Sequence, residues 1–197
     1  YHEQLDAIFE PLDEATPMQK NARQAGVLLH ISSLPSPYGI GDLGSEARQF
    51  VDWMVQAGAT SWQFLPLGPT DEYGSCYSSW SSLSGNPWLV DLRPLHSHGL
   101  LTQEELESAR QDCAGKVDFQ VIHSHKQKLL ETAATRFLQT TKHAWKESWE
   151  VFQANADWSR DAGVFRYLKN KHGGKPWWEW PAKDRKASNQ HLQSCFA

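Results

Sequence analysis

The chain has 197 residues, of which 40% are hydrophobic and 21% charged, which is ordinary for a globular protein. A net charge of −4 without a dense stripe of lysine or arginine argues against a nucleic-acid partner. No apolar run approaches the roughly 20 residues that a membrane span requires, so no membrane partner is predicted. Three cysteines without a CxxC pair suggest neither a disulfide framework nor a zinc site, and a reducing compartment is expected.

The N-terminal half alternates between extended and helical patterns. Residues 1–22 are polar and interrupted by prolines, which predicts an N-terminal arm. Residues 27–31 form an apolar run typical of a strand buried on both faces, and a turn-rich loop follows to Gly44. Residues 45–57 predict a helix that Ser45 caps and Gly58 ends, because apolar side chains recur at helical spacing at Ala47, Phe50, Val51, Met54 and Val55.

Two more extended segments are predicted, at residues 61–67 and 88–92. The first would complete a parallel β-α-β unit with the strand at 27–31. We therefore assign residues 23–99 to the first β/α units of a sheet, together with a polar, glycine-rich loop after the second strand.

Residues 100–197 are predicted to form a mostly helical subdomain. Thr102 and Glu105 have the spacing of a capping box. A long helix is expected over residues 118–141, a third around Trp145 to Phe152, and a fourth from about residue 158 that the glycine pair at 173–174 ends.

Residues 39–44 match GxGxxG between a strand and a helix, which raises the alternative of a nucleotide-dependent oxidoreductase. A dinucleotide fold needs a tight turn directly after the strand, whereas residues 32–38 intervene here and include two prolines. The nearest candidates for the ribose-binding acid, Asp71 and Glu72, lie too far along the chain. This alternative is therefore disfavoured.

Other motifs of catalysis or metal binding are weak. The histidine pairs at 96/98 and 123/125 have i, i+2 spacing, which places the two rings on different faces of a helix. No GxSxG motif or paired carboxylate is present, and nothing in the sequence near Cys76 would activate its thiol. No catalytic residue, metal site or cofactor is predicted.

Ordered motifs from about Gly26 to Pro181 resemble those of the amylomaltases, also called disproportionating enzymes or 4-α-glucanotransferases. The motifs are Leu28–Leu34, Tyr38-Gly-Ile-Gly-Asp-Leu-Gly44, Trp62-Gln-Phe-Leu-Pro-Leu-Gly-Pro69, Ser75–Tyr77, Ser84-Gly-Asn-Pro87, Val117-Asp-Phe119 and Lys175-Pro-Trp-Trp-Glu-Trp-Pro181. The resemblance implies an α/β fold, namely the first part of a (β/α)8 TIM barrel with a mostly helical inserted subdomain.

The resemblance also implies an activity: transfer of an α-1,4-glucan segment to the 4-hydroxyl of another glucan or of glucose. Such a retaining double displacement needs two carboxylates. The family's motifs for them, Asp-His-Phe-Arg-Gly and Gly-Glu-Asn-Leu, are absent from the chain. We therefore expect an N-terminal portion of a longer enzyme, inactive alone, from a bacterial cytoplasm or a plastid stroma.

By the motif match, Ser75 and Tyr77 line glucan subsites, with Tyr77 stacking on a sugar ring. Phe119 matches an aromatic position that contacts a second glucan in some members. Asn86 and Asp42 either hydrogen-bond sugar hydroxyls or organise loops, and the tryptophans of residues 177–180 form either a glucan platform or a packed corner. The alternative from another class is a stand-alone glucan-binding module without activity.

Overall fold

A computed structural model describes residues 23–71, 73–111 and 115–185. The predicted arm at 1–22 and the last part of the predicted helical subdomain, 186–197, lie outside the described residues. The strands are β1 (Gly26–Leu28) and β2 (Ser61–Gln63). The α-helices are α1 (Ser45–Gln56), α2 (Arg93–Ser97), α3 (Gln103–Ser108), α4 (Phe119–Gln139), α5 (Lys146–Asn155), α6 (Asp157–Lys171) and α7 (Ala182–Arg185). Short 3-10 helices lie at Ile31–Ser33, Pro87–Leu89 and Trp177–Glu179.

The predicted β-α-β unit is present, because β1 and β2 pair in parallel and α1 connects them. Both strands are shorter than predicted. One more ladder bond follows, from the Leu29 N–H to the Gln63 carbonyl at 3.0 Å, before the chain enters a 3-10 helix. Burial of β1 on both faces is wrong: Leu28 is 61% exposed. Within the described residues, each strand has only the other as its neighbour in the sheet.

The predicted extended segment at 88–92 is also wrong, because Pro87–Leu89 is a 3-10 helix. The Asn86 side chain starts this turn by accepting the N–H of Trp88 at 3.0 Å, and proline at the first position favours the helical φ. The turn buries Trp88 and Leu89.

Helix α1 confirms the predicted helix: it ends at Gln56, and Gly58, with a φ of 72°, follows its C-cap Ala57. Its start differs from the prediction: Gly44 is the N-cap and makes no side-chain bond, so Ser45 does not cap the helix. On the predicted apolar face of the helix, Ala47 and Met54 are buried, whereas Val51 and Val55 are exposed.

The helical half follows the sequence pattern closely. The capping box of α3 is formed, with the Glu105 N–H donating to Thr102 and the Thr102 N–H donating to the Glu105 carboxylate. Asp118 caps α4 by accepting two backbone N–H groups. Helix α6 ends at Lys171, and the predicted glycine pair, Gly173 and Gly174, follows it with positive φ. No helix among the described ranges is both long and apolar enough to cross a membrane.

The two halves of the chain pack together around shared hydrophobic clusters. One cluster joins Tyr38 and the fully buried Leu92 to Leu101, Leu129 and other side chains of the helical half. A second brings Ile40, Trp88 and Ile122 together. Residues on either side of the predicted domain boundary, between residues 99 and 100, therefore share one hydrophobic core. The boundary itself stays a prediction.

Candidate functional site

The loop after β2 carries Ser75 and Tyr77 and is organised by Asp71. The Asp71 carboxylate accepts the N–H groups of Tyr73 at 3.0 Å and Ser75 at 2.8 Å, while its carbonyl accepts the N–H of Gly74 at 3.1 Å. These bonds close an Asx-type turn. Our sequence reasoning missed this role of Asp71, although aspartate three residues before glycine is a typical turn signal.

The turn leaves its aromatic side chain open to solvent. Tyr77 is 74% exposed, and Ser75 beside it is half-buried. The Ser78 hydroxyl donates to the Ser75 hydroxyl at 3.3 Å. The loop therefore presents a phenol ring next to a hydroxyl pair, which is a chemistry suited to a sugar ring and its hydroxyl groups.

Phe119 lies directly behind this turn. Its ring packs so closely on Gly74 that a Cβ at Gly74 would overlap it, and Gly74 has a φ of 82°. Phe119 also lines an open cavity of about 560 Å³ together with Ser32 and Ser33. The structure thus brings Phe119 and the loop of Ser75 and Tyr77 together, although α4 lies far along the sequence from this loop.

Asn86 and Asp42 are both buried, and their bonds organise backbone. The Asn86 N–H donates to the Leu67 carbonyl at 2.8 Å, in addition to the side-chain cap described above. The Asp42 carboxylate accepts the N–H of Gly44 at 3.0 Å and the hydroxyl of Ser36 at 3.4 Å. Of the two predicted roles, the loop-organising one matches these bonds, while contact with a substrate stays a prediction.

Arg93 ties the start of α1 to the segment before α2. Its guanidinium donates to Glu46 at 2.8 Å and to Asp91 at 2.9 Å, and it lies 3.8 Å from Asp42. The hydrogen bonds that Arg93 donates lower the pKa of Glu46 to about 2, and donating to the carboxylates of Glu46 and Asp91 raises the pKa of Arg93.

Lys126 of α4 is buried, and the charges of Asp42, Asp91 and Arg93 act on it. It is 2% exposed, and its Nζ donates to the Trp88 carbonyl at 2.7 Å. Burial lowers the pKa of Lys126 to about 8, although the carboxylate of Asp42 acts in the opposite direction. Burial raises the pKa of Asp42, because it disfavours the charged carboxylate just as it disfavours the charged ammonium group. Each group therefore offsets part of the cost of burying the other.

The glycines at 39–44 have a structural explanation. A Cβ at Gly41 would overlap the Ile31 carbonyl, and one at Gly44 would overlap Asp91 and its neighbours. Gly39 has a φ of 83°. Close packing of the loop on itself thus demands glycine here, and the GxGxxG spacing needs no bound nucleotide to account for it.

The tryptophans of residues 177–180 differ in their surroundings, and the packed-corner alternative describes Trp180. Trp180 is buried, donates to the Lys175 carbonyl at 2.9 Å and stacks on His172, so it forms a packed corner. Trp177 and Trp178 are exposed, but their rings meet at 81° and do not form one flat surface. Across the described ranges, no group of three or more histidine, cysteine or acidic side chains is arranged to hold a metal ion.

Comparison with known proteins finds one family that matches nearly the whole chain. The profile of a family described as 4-alpha-glucanotransferase matches residues 29–196. The 4-alpha-glucanotransferase of Thermus thermophilus is 40% identical over 172 residues, which cover 87% of this chain and 34% of that protein. The chloroplastic/amyloplastic 4-alpha-glucanotransferase of Solanum tuberosum is 36% identical over 193 residues, with coverages of 92% and 32%.

A solved structure, the amylomaltase from Streptococcus agalactiae in complex with acarbose, superposes with a TM-score of 0.75 at 31% identity. The match covers 88% of this chain and 35% of that chain. The predicted fold class is confirmed: this is a protein of the amylomaltase type, with part of a (β/α)8 barrel and a mostly helical region. The chain belongs to the 4-alpha-glucanotransferase family and spans about a third of the length of the relatives it matches.

Proposed function

We propose that this chain is the glucan-binding part of a 4-α-glucanotransferase. The whole protein would transfer an α-1,4-glucan segment to the 4-hydroxyl of another glucan or of glucose, by retaining double displacement, in starch or maltodextrin metabolism. The observation that carries the proposal is the exposed Tyr77 ring beside Ser75, on a turn backed by Phe119, within a chain of this family. The sequence lacks the family's two carboxylate motifs, so this part supplies binding and not bond cleavage.

In this proposal the turn works as a preformed sugar platform. The face of the Tyr77 ring meets the C–H groups of a glucose unit, and the hydroxyl pair of Ser75 and Ser78 exchanges hydrogen bonds with sugar hydroxyls. Asp71 and the Gly74–Phe119 contact hold the turn before a ligand arrives, which reduces the entropy lost on binding. Asn86 and Asp42 act by positioning the neighbouring loops.

The partners under this proposal are maltooligosaccharides and starch-derived dextrins. The name of the Solanum tuberosum relative assigns that protein to chloroplasts or amyloplasts, while Thermus thermophilus is a bacterium. We accordingly propose either a plastid stroma or a bacterial cytoplasm as the compartment of this chain.

Binding of maltoheptaose to the full chain, measured by isothermal titration calorimetry, tests the proposal. Tyr77→Ala should weaken binding about tenfold, or about 1.4 kcal/mol, because it removes the stacking ring. Tyr73→Ala is the matched control, since Tyr73 lies on the same turn and is equally exposed at 74%. Binding by Tyr77→Ala as tight as by the unmodified chain would rule out a binding role for Tyr77.

A further inference from the structure

A second cleft, of about 360 Å³, lies between the loop after β2 and helices α4 and α6. Among its lining residues are Thr70 and Trp80 from the loop region, His123 and Gln127 from α4, and Arg166 and Lys169 from α6. None of the five predicted substrate-binding residues lines it, but Ser78, whose hydroxyl pairs with that of Ser75, does, so the cleft adjoins the proposed sugar platform. Its volume is within the range of small-molecule sites.

Arg166 has a charge that the described residues do not neutralise. Its Nη2 donates to the Gln127 side chain at 3.1 Å, and its Cζ lies 6.0 Å from the ring centroids of both Trp80 and Trp88. No carboxylate of the described residues lies within ion-pair distance of it. Burial lowers the pKa of Arg166, which reflects the loss of hydration. A half-buried guanidinium without a counterion is costly, and a bound anion would offset that cost.

Thr70 gives an independent indication of a ligand. It is nine-tenths buried, it lines the cleft, and its hydroxyl has no hydrogen-bond partner among the described residues. Buried hydroxyls in folded proteins are nearly always hydrogen-bonded. A ligand oxygen in the cleft would supply the missing partner.

The remaining groups around the cleft define the ligand's chemistry. Lys169 adds a second cation from the same helix as Arg166. Asp71 is the carboxylate on the lining, but its Oδ1 already accepts two backbone N–H groups. The negative charge of Glu131 on α4 acts to raise the pKa of Arg166, although the two side chains form no ion pair. Trp80 stacks on Phe165 at 5.9 Å, so its ring is held in place as a flat wall.

We propose that this cleft binds a phosphate monoester of a hexose, either a free sugar phosphate or the ester on a glucan chain. Arg166 and Lys169 hold the phosphoryl oxygens, Thr70 donates its hydroxyl to one of them, and Trp80 contacts the sugar ring. A neutral sugar does not neutralise Arg166, whereas a dianion accepts two parallel N–H bonds from a guanidinium. The sugar part of the ligand rests on the proposed function, and the phosphoryl part rests on the cleft alone.

Calorimetric titration of the full chain with glucose 6-phosphate tests this inference. Arg166→Gln should weaken binding by about tenfold or more, because it removes a charge-assisted bidentate contact. The affinity of Arg166→Lys should lie between those of Arg166→Gln and the unmodified chain. Arg160→Gln, an exposed arginine of the same helix, should change nothing. Thr70→Val should weaken binding less, and far-UV circular dichroism of each variant verifies that α4 and α6 are folded.

Four further titrants separate the possible outcomes: inorganic phosphate, glucose, maltoheptaose and a phosphorylated maltodextrin. Glucose 6-phosphate binding more tightly than inorganic phosphate or glucose supports the inference, and tighter binding of the phosphorylated dextrin identifies the glucan ester as the source. Equal binding of inorganic phosphate and glucose 6-phosphate overturns the hexose assignment. Binding of maltoheptaose without binding of any phosphate overturns the inference and leaves the proposed function standing. Binding of glucose 6-phosphate without binding of maltoheptaose overturns the proposed function and leaves the phosphoryl part of the inference standing.

Discussion

Lys126 has an environment that is unusual for a lysine, because its side chain is buried. A lysine is rarely fully buried without partners, and here the partners are the Trp88 carbonyl and the nearby carboxylate of Asp42. Both lie on the segments that flank the candidate site. Lys126 therefore links the long helix α4 to the 3-10 helix at 87–89 and to the loop after β1.

Replacing Lys126 by methionine should lower the free energy of unfolding by about 1–3 kcal/mol. The change leaves the Trp88 carbonyl without its donor and Asp42 with Arg93 alone as a nearby cation among the described residues. Urea unfolding measures the loss. The control is Lys128→Met on the same helix, whose exposed side chain should change stability by less than about 0.5 kcal/mol.

The same variant has a pH signature. The pKa of Lys126 is about 8 in the folded chain and higher in the unfolded one, so the unfolded state binds more protons between those values. Lys126 should therefore make the free energy of unfolding of the unmodified chain increase as pH rises from about 8 to about 10.5. That contribution should be missing from Lys126→Met, and identical pH profiles would contradict the buried position of this ammonium group.

At the scale of elements, the turn after β2 and the start of α4 fit together because Gly74 has no side chain. Gly74→Ala would force a residue with Cβ into positive φ and would also push against the Phe119 ring. We expect a loss of stability larger than the roughly 1–2 kcal/mol of backbone strain alone, and weaker maltoheptaose binding, because the loop of Tyr77 must shift.

Gly115→Ala is the matched control for this prediction. Gly115 has a φ of 93°, yet a Cβ there meets nothing within 4 Å. The control therefore carries the backbone strain without the clash. If both variants lose the same stability and bind maltoheptaose equally well, the Phe119 contact does not position the loop.

At the scale of the whole molecule, ion pairs such as Glu46 with Arg93 connect elements that are distant in sequence. Glu46 pairs with Arg93, and Glu105 pairs with Arg136 of α4 at 2.6 Å. Hydrogen bonds from the arginines lower the pKa of each glutamate to about 2. Since the folded pKa is below the unfolded one, the stabilisation is present above about pH 4.5 and is lost as pH falls towards 2.

Glu105→Gln should therefore reduce the dependence of stability on pH between about 4.5 and 2. Urea unfolding at several pH values measures the slope. Glu104→Gln is the control, because Glu104 lies on the same helix and is exposed. A slope that both variants reduce equally would show that the pair with Arg136 is not the cause.

The whole chain should not catalyse transfer by itself, since the two carboxylate motifs are absent. Incubated with maltotriose, the chain should release no glucose and form no longer maltodextrins, even where calorimetry detects binding. Chromatography of the products is the measurement. Release of glucose at a rate that scales with chain concentration would contradict the binding-only role.

Local patterns in the sequence determined much of this protein. The extent of α1 and α4, the capping box of α3 and the stop of α6 at Gly173 were predictable, because each depends on residues within one or two turns. The family motifs were likewise readable along the chain, and they identified the loop of Ser75 and Tyr77.

Only the tertiary structure decided the features that depend on residues far apart in sequence. The short strands, the buried positions of Asn86 and Asp42, the pairing of Lys126 with the Trp88 carbonyl and the contact of Arg166 with Gln127 are of this kind. Burial and charge environment are set by which segments meet when the chain folds. Sequence spacing does not contain that information, because contacts between α4, α6 and the β2 loop span tens of residues.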